Sequence, residues 1–168
     1  MLSQQAQDLL NVYAENRTDV SRPSFDELCM QIAQLVSKRS LDGQTNYGCV
    51  LAKDSRIIAT GYNSFIRDID DSVLPNLRGD KGFKYPFMRH SEENALINCA
   101  REGISTKGAT CYVTGRPCLS CHQQLWQAGI SKIVFIDHKA KMLEEQAAQL
   151  EIIYHLIGDR MPLVEFFP

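Results

Sequence analysis

The chain reads as an α/β protein, a sheet with helices packed on its faces, and three observations carry that reading. From His90 onward, helical and strand-like patterns alternate. Ahead of them, a helix with its own start signal runs into a β-hairpin pattern. At 168 residues with 44% hydrophobic content, the chain can bury one core but hardly two.

Taken in order, Leu2, Ala6, Leu9, Leu10 and Tyr13 recur at helical spacing and predict a short amphipathic helix, followed by a polar connection from Asn16 to Arg22. Ser24 with Glu27 forms a capping box ahead of Phe25, Leu28, Ile32, Leu35 and Val36, predicting a helix to about Ser40. Asp42-Gly43 marks a turn, and Tyr47 to Ala52 and Arg56 to Tyr62 read as a hairpin around Lys53-Asp54-Ser55. Asn63 to Arg89 holds Pro75, Gly79, Gly82 and Pro86 with little periodicity, and a loop of that length is expected to serve function. Next come a helix from His90 to about Arg101, a strand from Thr110 to Thr114, a helix from Cys118 to Ala128 and a strand from Lys132 to Ile136. Gly103 and Gly129 stand where helix C-caps belong, Met142 to Leu156 predicts a further helix, and Leu163 to Phe167 a last strand. The expected organisation is one domain over 1–168: a peripheral N-terminal segment at 1–22, a core at 24–137 and a C-terminal helix and strand at 138–168.

A formal net charge of -2 supplies no broad basic field for a nucleic-acid backbone, so a polymer partner is not expected. Aliphatic runs such as Ile130 to Ile136 are too short to cross a bilayer, and the start with Ser3, Gln4, Gln5 and Gln7 lacks the zones of a signal peptide. A cytoplasmic location is the expectation. Without a secretory signal, the six cysteines read as thiols or metal ligands. Cys118 and Cys121 form a C-x-x-C, whereas Cys29, Cys49, Cys99 and Cys111 sit in apolar stretches as small buried hydrophobes.

The chemistry concentrates in His90-Ser91-Glu92 and Pro117-Cys118-Leu119-Ser120-Cys121, each at the start of a predicted helix. One imidazole and two thiolates suit Zn2+, and three protein ligands leave the fourth tetrahedral corner for water, which is the arrangement of a catalytic site. Thiols at i and i+3 share one helix face, and the helix N-terminus favours their ionised form. Glu92, two residues past His90, points away from the ligand direction and can stand beside the metal as a proton shuttle. A C-x-x-C alone also occurs in structural zinc half-sites and redox pairs, but those leave His90 and Glu92 without a task. His122 adjoins Cys121, yet consecutive helix residues diverge by ~100°, so it is expected to be exposed or in a local hydrogen bond. His138 and His155 read as structural.

These residues resemble the cytidine and deoxycytidylate deaminase superfamily, and within it the dCMP deaminases from about Phe25 to Asp137. The resemblance is carried by Ser37-Lys38-Arg39-Ser40, Gly61-Tyr62-Asn63, the loop from Asp70-Asp71 to Lys84-Tyr85-Pro86, and Ala109 to Cys121. It implies a three-layer α/β/α fold with a central mixed sheet of about five strands, a homo-oligomer (hexamer or dimer), and conversion of dCMP to dUMP and ammonia in support of thymidylate synthesis. Residue by residue, it implies that His90, Cys118 and Cys121 hold zinc, Glu92 shuttles protons and Asn63 contacts the sugar; as a turn residue closing a strand, Asn63 has a structural reading too. For the 5'-phosphate, Arg39, Arg67, Arg78, Lys81, Lys84 and Arg89 are candidates, with Arg39 and Lys84 favoured. Relatives of this kind also bind dCTP and dTTP as effectors, a triphosphate bringing Mg2+, and the long loop is the place to look.

Several positions depart from the usual family pattern: Tyr47-Gly48-Cys49 for Val-Gly-Ala, Ser91 for Ala, Gly115-Arg116 for a bulkier pair, and Ser64 for the common glycine. A smaller Gly115 is expected to enlarge the pocket and Arg116 to meet a phosphate, which leaves dCTP or a 5-substituted dCMP as alternative substrates. A zinc-stabilised regulator that binds nucleotides without turnover is the alternative outside enzymes, and the presence of Glu92 argues against it.

Overall fold

The computed structural model describes residues 1–18, 20–70, 72–73, 84–136 and 144–168. Expectations on Asp71, Arg78, Lys81, His138 and Met142 lie outside the described residues.

The helices are α1 (Gln4–Glu15), α2 (Phe25–Ser37), α3 (Ser91–Arg101), α4 (Leu119–Gln127) and α5 (Glu144–Ile157); the strands are β1 (Gly48–Lys53), β2 (Arg56–Tyr62), β3 (Ser64–Phe65), β4 (Met88–Arg89), β5 (Thr110–Val113), β6 (Lys132–Phe135) and β7 (Leu163–Phe166). Five strands form one mixed sheet in the order β2-β1-β5-β6-β7. β1 runs antiparallel to both β2 and β5, whereas β5, β6 and β7 are parallel and joined through α4 and α5. This is the expected α/β architecture with a mixed sheet of five strands.

Side-chain alternation along the central strands sends residues to two different cores. Cys49 and Leu51 of β1, Cys111 and Val113 of β5 and Ile133 of β6 pack with Ala95 and Cys99 of α3 and Leu125 of α4. Val50 and Ala52, Tyr112 and Val134 face the other way, onto Cys29, Met30 and Ala33 of α2. Strands buried on both faces carry continuous apolar runs, which is why β1, β5 and β6 were legible without polar alternation. The four scattered cysteines are all buried in these cores, as their apolar surroundings implied.

Local signals hold where they were strongest. The Ser24 hydroxyl accepts from the Glu27 amide at 3.2 Å while the Glu27 carboxylate accepts from the Ser24 amide at 2.6 Å, so the capping box starts α2 as read. Asp54 and Ser55 adopt positive φ, 50° and 57°, turning the β1–β2 hairpin. Helix α1 forms but buries none of its residues, consistent with a peripheral segment.

The stretch from Asn63 to Arg89, read as loop throughout, is pinned at its two ends by a small ribbon: Ser64 pairs with Arg89 and Phe65 with Met88. Strands of two residues are too short to leave a periodicity in sequence. The ribbon closes the long excursion at its base and delivers the chain directly into His90.

Helix α3 lies so near β2 that only a glycine fits beneath it. A Cβ on Gly61 would sit 2.5 Å from the Ala95 amide nitrogen and nearer still to the Ser91 carbonyl oxygen. Both obstacles are backbone, so relief requires moving the helix that starts the metal motif. Gly61→Ala is therefore expected to lower the unfolding free energy by ~1–3 kcal/mol or more in urea titration, and to lower metal retention with it; unchanged stability and metal content would refute this packing.

Candidate metal centre and active site

His90 is the N-cap of α3 and Cys118 the N-cap of α4, so two helix starts converge at the ends of β1 and β5. His90 Nδ1 lies 3.5 Å from Cys118 Sγ and 3.4 Å from Cys121 Sγ. All three donor atoms lie within 4.8 Å of one another, and they are the only such group of three among the described residues. Tetrahedral zinc with usual Zn–S and Zn–N bond lengths requires N to S separations of about 3.5 Å. The spacing and the donor chemistry both fit that ion.

Electrostatics in the cluster follow from the crowding. Hydrogen bonding from the Cys121 thiol, aided by His90, pulls Cys118 down to about 4, and the same Cys118 sulfur with burial pushes Cys121 up. The hydrogen bond to Cys118 raises His90 to about 9. Two sulfurs and one imidazole so close share protons that a cation would displace.

Glu92 is buried at 5% exposure and is not among the grouped donors. Burial raises its pKa, opposed by a hydrogen bond from its own backbone and by the Ser91 hydroxyl, which donates to Oε2 at 2.8 Å. Its charge is felt by His90 and Cys121, which places the carboxyl beside the donors. A carboxyl with a raised pKa, next to the grouped donors and not one of them, is equipped to accept and return protons.

Glu93 performs a task that sequence reading did not assign. One carboxylate oxygen accepts from the His90 amide at 3.0 Å and the other from Gln124 Nε2 of α4 at 2.8 Å, so a single side chain ties the two helices that carry the donors. The half of this bridge within α3 was visible as a Glu three residues past a helix start; its reach to Gln124 was not.

The remaining predicted site residues occupy distinct places. Asn63 is buried, and its amide is heavily engaged: Nδ2 donates to the Thr45 carbonyl at 2.7 Å and to Asp42 at 3.4 Å, while Oδ1 accepts from the Tyr47 amide at 2.7 Å. The turn-closing role is thereby filled. Lys84 is buried at 2% exposure and paired with Asp42, whose carboxylate also accepts from the Gln44 and Thr45 amides at 2.9 and 3.1 Å. Ser40 completes the cluster by donating to the Asn63 carbonyl at 2.7 Å. Arg39, Arg67, Arg89 and Arg116 are exposed.

Two expectations need correction. His122 is neither exposed nor locally hydrogen-bonded: it is 2% exposed, its ring nitrogens have no partner among the described residues, and it meets Tyr154 edge-on at 6.3 Å. It lines a cavity of about 420 Å³ between α4 and α5, where burial pulls its pKa down to about 4. The angular argument that it faces away from the ligands is sound; what it faces is α5. Gly115, in turn, does not enlarge the pocket, because the space above it is filled by the ring of Tyr47. The pairing of residues 47 and 115 left no signal in either local segment.

Comparison with known proteins agrees with the geometry. The family described as "Cytidine and deoxycytidylate deaminase zinc-binding region" matches residues 23–137. The probable deoxycytidylate deaminase of Drosophila melanogaster is 32% identical over 146 residues, covering 80% of this chain and 71% of that protein. The deoxycytidylate deaminase of Schizosaccharomyces pombe is 34% identical over 159 residues, covering 87% of this chain and 47% of its own length. Among solved structures, the dCMP deaminase of cyanophage S-TIM5 in complex with dCMP and dUMP superposes with a TM-score of 0.69 at 23% identity, covering 88% of this chain and all of that one, which establishes a shared fold. With the family match spanning both the histidine and the cysteine motifs at the observed metal-donor cluster, the chain belongs to the cytidine and deoxycytidylate deaminase zinc-binding family.

Proposed function

We propose that this chain is a zinc-dependent hydrolase that converts dCMP and water to dUMP and ammonia. The observation that carries the reading is a buried, non-ligating Glu92 beside three converged metal donors. A protein that only bound nucleotides would need no such carboxyl. The curated relatives named deoxycytidylate deaminases, 32% and 34% identical, support the choice of dCMP.

In this reading His90, Cys118 and Cys121 would hold the zinc ion, which would supply Lewis acidity and lower the pKa of a water toward ~7. Glu92 accepts the proton that the attacking water loses and delivers it to N3 of the base. It then takes the proton of the new C4 hydroxyl and passes it to the exocyclic amine, so that ammonia leaves as the C4–N bond breaks and the C4 carbonyl of uracil forms. Ser91, by holding Oε2, leaves the other carboxylate oxygen as the one that moves protons. The Glu93 bridge between α3 and α4 keeps the donors in register with that oxygen.

Asn63 stands at the sugar end with Oδ1 able to accept one more hydrogen bond. Lys84 acts through Asp42 by holding the Asp42–Asn63 cluster, and exposed Arg39 and Arg116 serve the 5'-phosphate. The segment at 24–137 is the catalytic core of a single domain, with 1–22 and 138–168 accessory to it. Assembly into a homo-oligomer is supported by apolar side chains left in water, Leu9, Leu10 and Tyr13 of α1 among them. Regulation by dCTP and dTTP, with Mg2+ accompanying the triphosphate, and a cytoplasmic location complete the reading. No helix among the described residues is long and apolar enough to cross a membrane.

Glu92→Gln tests the mechanism: the variant should keep one zinc per chain and its melting temperature while ammonia release from dCMP falls by ~10²–10⁴-fold or more. Survival of the full rate would end the proposed role. Metal removal tests the centre itself. Dialysis against a strong zinc chelator under reducing conditions should abolish dUMP formation and lower the melting temperature, with both restored by added Zn2+; turnover that persists in zinc-free protein would refute the reading.

A further inference from the structure

Two residues far apart in sequence, Tyr47 and Gly115, pack against each other three residues ahead of the donor Cys118. Gly115 is buried between Thr114 and the Pro117-Cys118 step, and it is not among the glycines with left-handed φ, which are Gly103, Gly108, Gly129 and Gly158 among the described residues. Backbone conformation therefore gives no reason for glycine there. Space does: a Cβ at this position would lie 2.7 Å from both Cδ1 and Cζ of Tyr47 and closer still to Cε1, well inside the 3.0 Å that real Cβ contacts respect. One face of the tyrosine ring lies flat on the glycine.

The ring is anchored from its own backbone. The Tyr47 amide donates to Asn63 Oδ1 at 2.7 Å and the Tyr47 carbonyl accepts from the Asn63 amide at 3.1 Å. The neighbouring Gly48 donates to Thr114 Oγ1 at 3.0 Å and accepts from the Thr114 amide at 3.0 Å. Tyr47 is thus tied to Asn63, and its neighbour Gly48 to Thr114, which holds the backbone of residue 47 in place. Tyr47 is half-buried. Its location is set by its neighbours: Gly115 is three residues from the donor Cys118, and Tyr47 is two residues from Cys49, which lies near enough to Glu92 and Cys121 to feel both charges.

We propose that Tyr47 and Gly115 act as one size-matched pair that sets the width of the pyrimidine slot, the tyrosine ring excluding substituents at C5 of the base. The inference rests on the deaminase reading and deepens it. A side chain at 115 and a ring at 47 compete for one volume, so either alone can form the wall and both together cannot. An extra methyl group meeting a filled wall is discriminated by about 10- to 200-fold in comparable pockets. Wild-type protein should accordingly favour dCMP over 5-methyl-dCMP, whose deamination yields dTMP and ammonia.

The test is an exchange of the two sizes. Wild type, Tyr47→Val, Gly115→Leu and the double variant are compared for zinc content, melting temperature and kcat/KM on dCMP and 5-methyl-dCMP. Tyr47→Val should raise the 5-methyl-dCMP to dCMP ratio of kcat/KM about tenfold or more, while Tyr47→Phe, which keeps the ring, should leave that ratio at the wild-type value. Gly115→Leu should lower both melting temperature and kcat/KM, and adding Tyr47→Val should recover most of each loss. An unchanged ratio in Tyr47→Val, or losses in the double variant that multiply instead of cancelling, would overturn the pair. If Gly115→Leu does not fold, the Val and Phe variants at 47 still decide the question through the ratio. Zinc-loaded wild type that turns over neither nucleotide would count against the deaminase reading, whereas turnover with an unmoved ratio would count against this pair alone.

Discussion

Three donor atoms carried on two separate helix starts must come within 4.8 Å of one another, and most of the architecture can be understood as meeting that condition. His90 and Cys118 are 28 residues apart, so their approach costs chain entropy that only tertiary packing can offset. β1 supplies the common reference, since it pairs with β2 beneath α3 and with β5, which leads into α4. The absence of a side chain at Gly61 lets α3 settle onto the sheet, and Glu93 then clamps α3 to α4. Each contact is local in space and distant in sequence. Their joint effect is to pre-place a nitrogen and two sulfurs at the separations a tetrahedral cation requires.

A second buried cluster is held together by a different means. Asp42, Asn63, Ser40 and Lys84 come from the α2–β1 connection, the end of β2 and the end of the long excursion, and they are joined by hydrogen bonds and one buried ion pair. Such a pair contributes little net stability over an apolar substitute, yet removing one partner leaves an uncompensated charge and costs ~3–5 kcal/mol. Its value here is geometric: it holds Asn63, and through Asn63 the backbone of Tyr47, in a single arrangement. The acidic residue most exposed to this logic is Asp42, which accepts from two backbone amides in addition to the lysine.

Burial acts on the titrating groups in opposite ways according to their charge when ionised. It raises Glu92 at the start of α3, and it lowers His122 of α4 to about 4, keeping that imidazole neutral. Adjacent residues in sequence, Cys121 and His122, therefore serve a metal position and an apolar seam between α4 and α5 respectively. Helical geometry alone separates the two tasks, since successive side chains diverge by ~100°.

How much of this was legible beforehand depends on the range of the interaction. Patterns with a span of three or four residues could be read directly: the capping box of Ser24 and Glu27, the i, i+3 cysteines, the glutamate two residues past the ligand histidine, and the apolar runs of β1, β5 and β6. These follow from helix and strand periodicity and from the donor preferences of zinc, so the sequence by itself determined the order of the main helices and strands, the candidate metal donors and the type of reaction they suit. Other facts depend on which surfaces meet, and no local pattern encodes them. Lys84 read as a phosphate candidate and is paired with Asp42; His122 read as exposed or locally hydrogen-bonded and faces α5; Gly115 read as added room and lies under Tyr47. Only the tertiary structure decided those, because each is a competition for one volume or one partner between segments that the chain brings together on folding, and close packing leaves such a competition a single outcome.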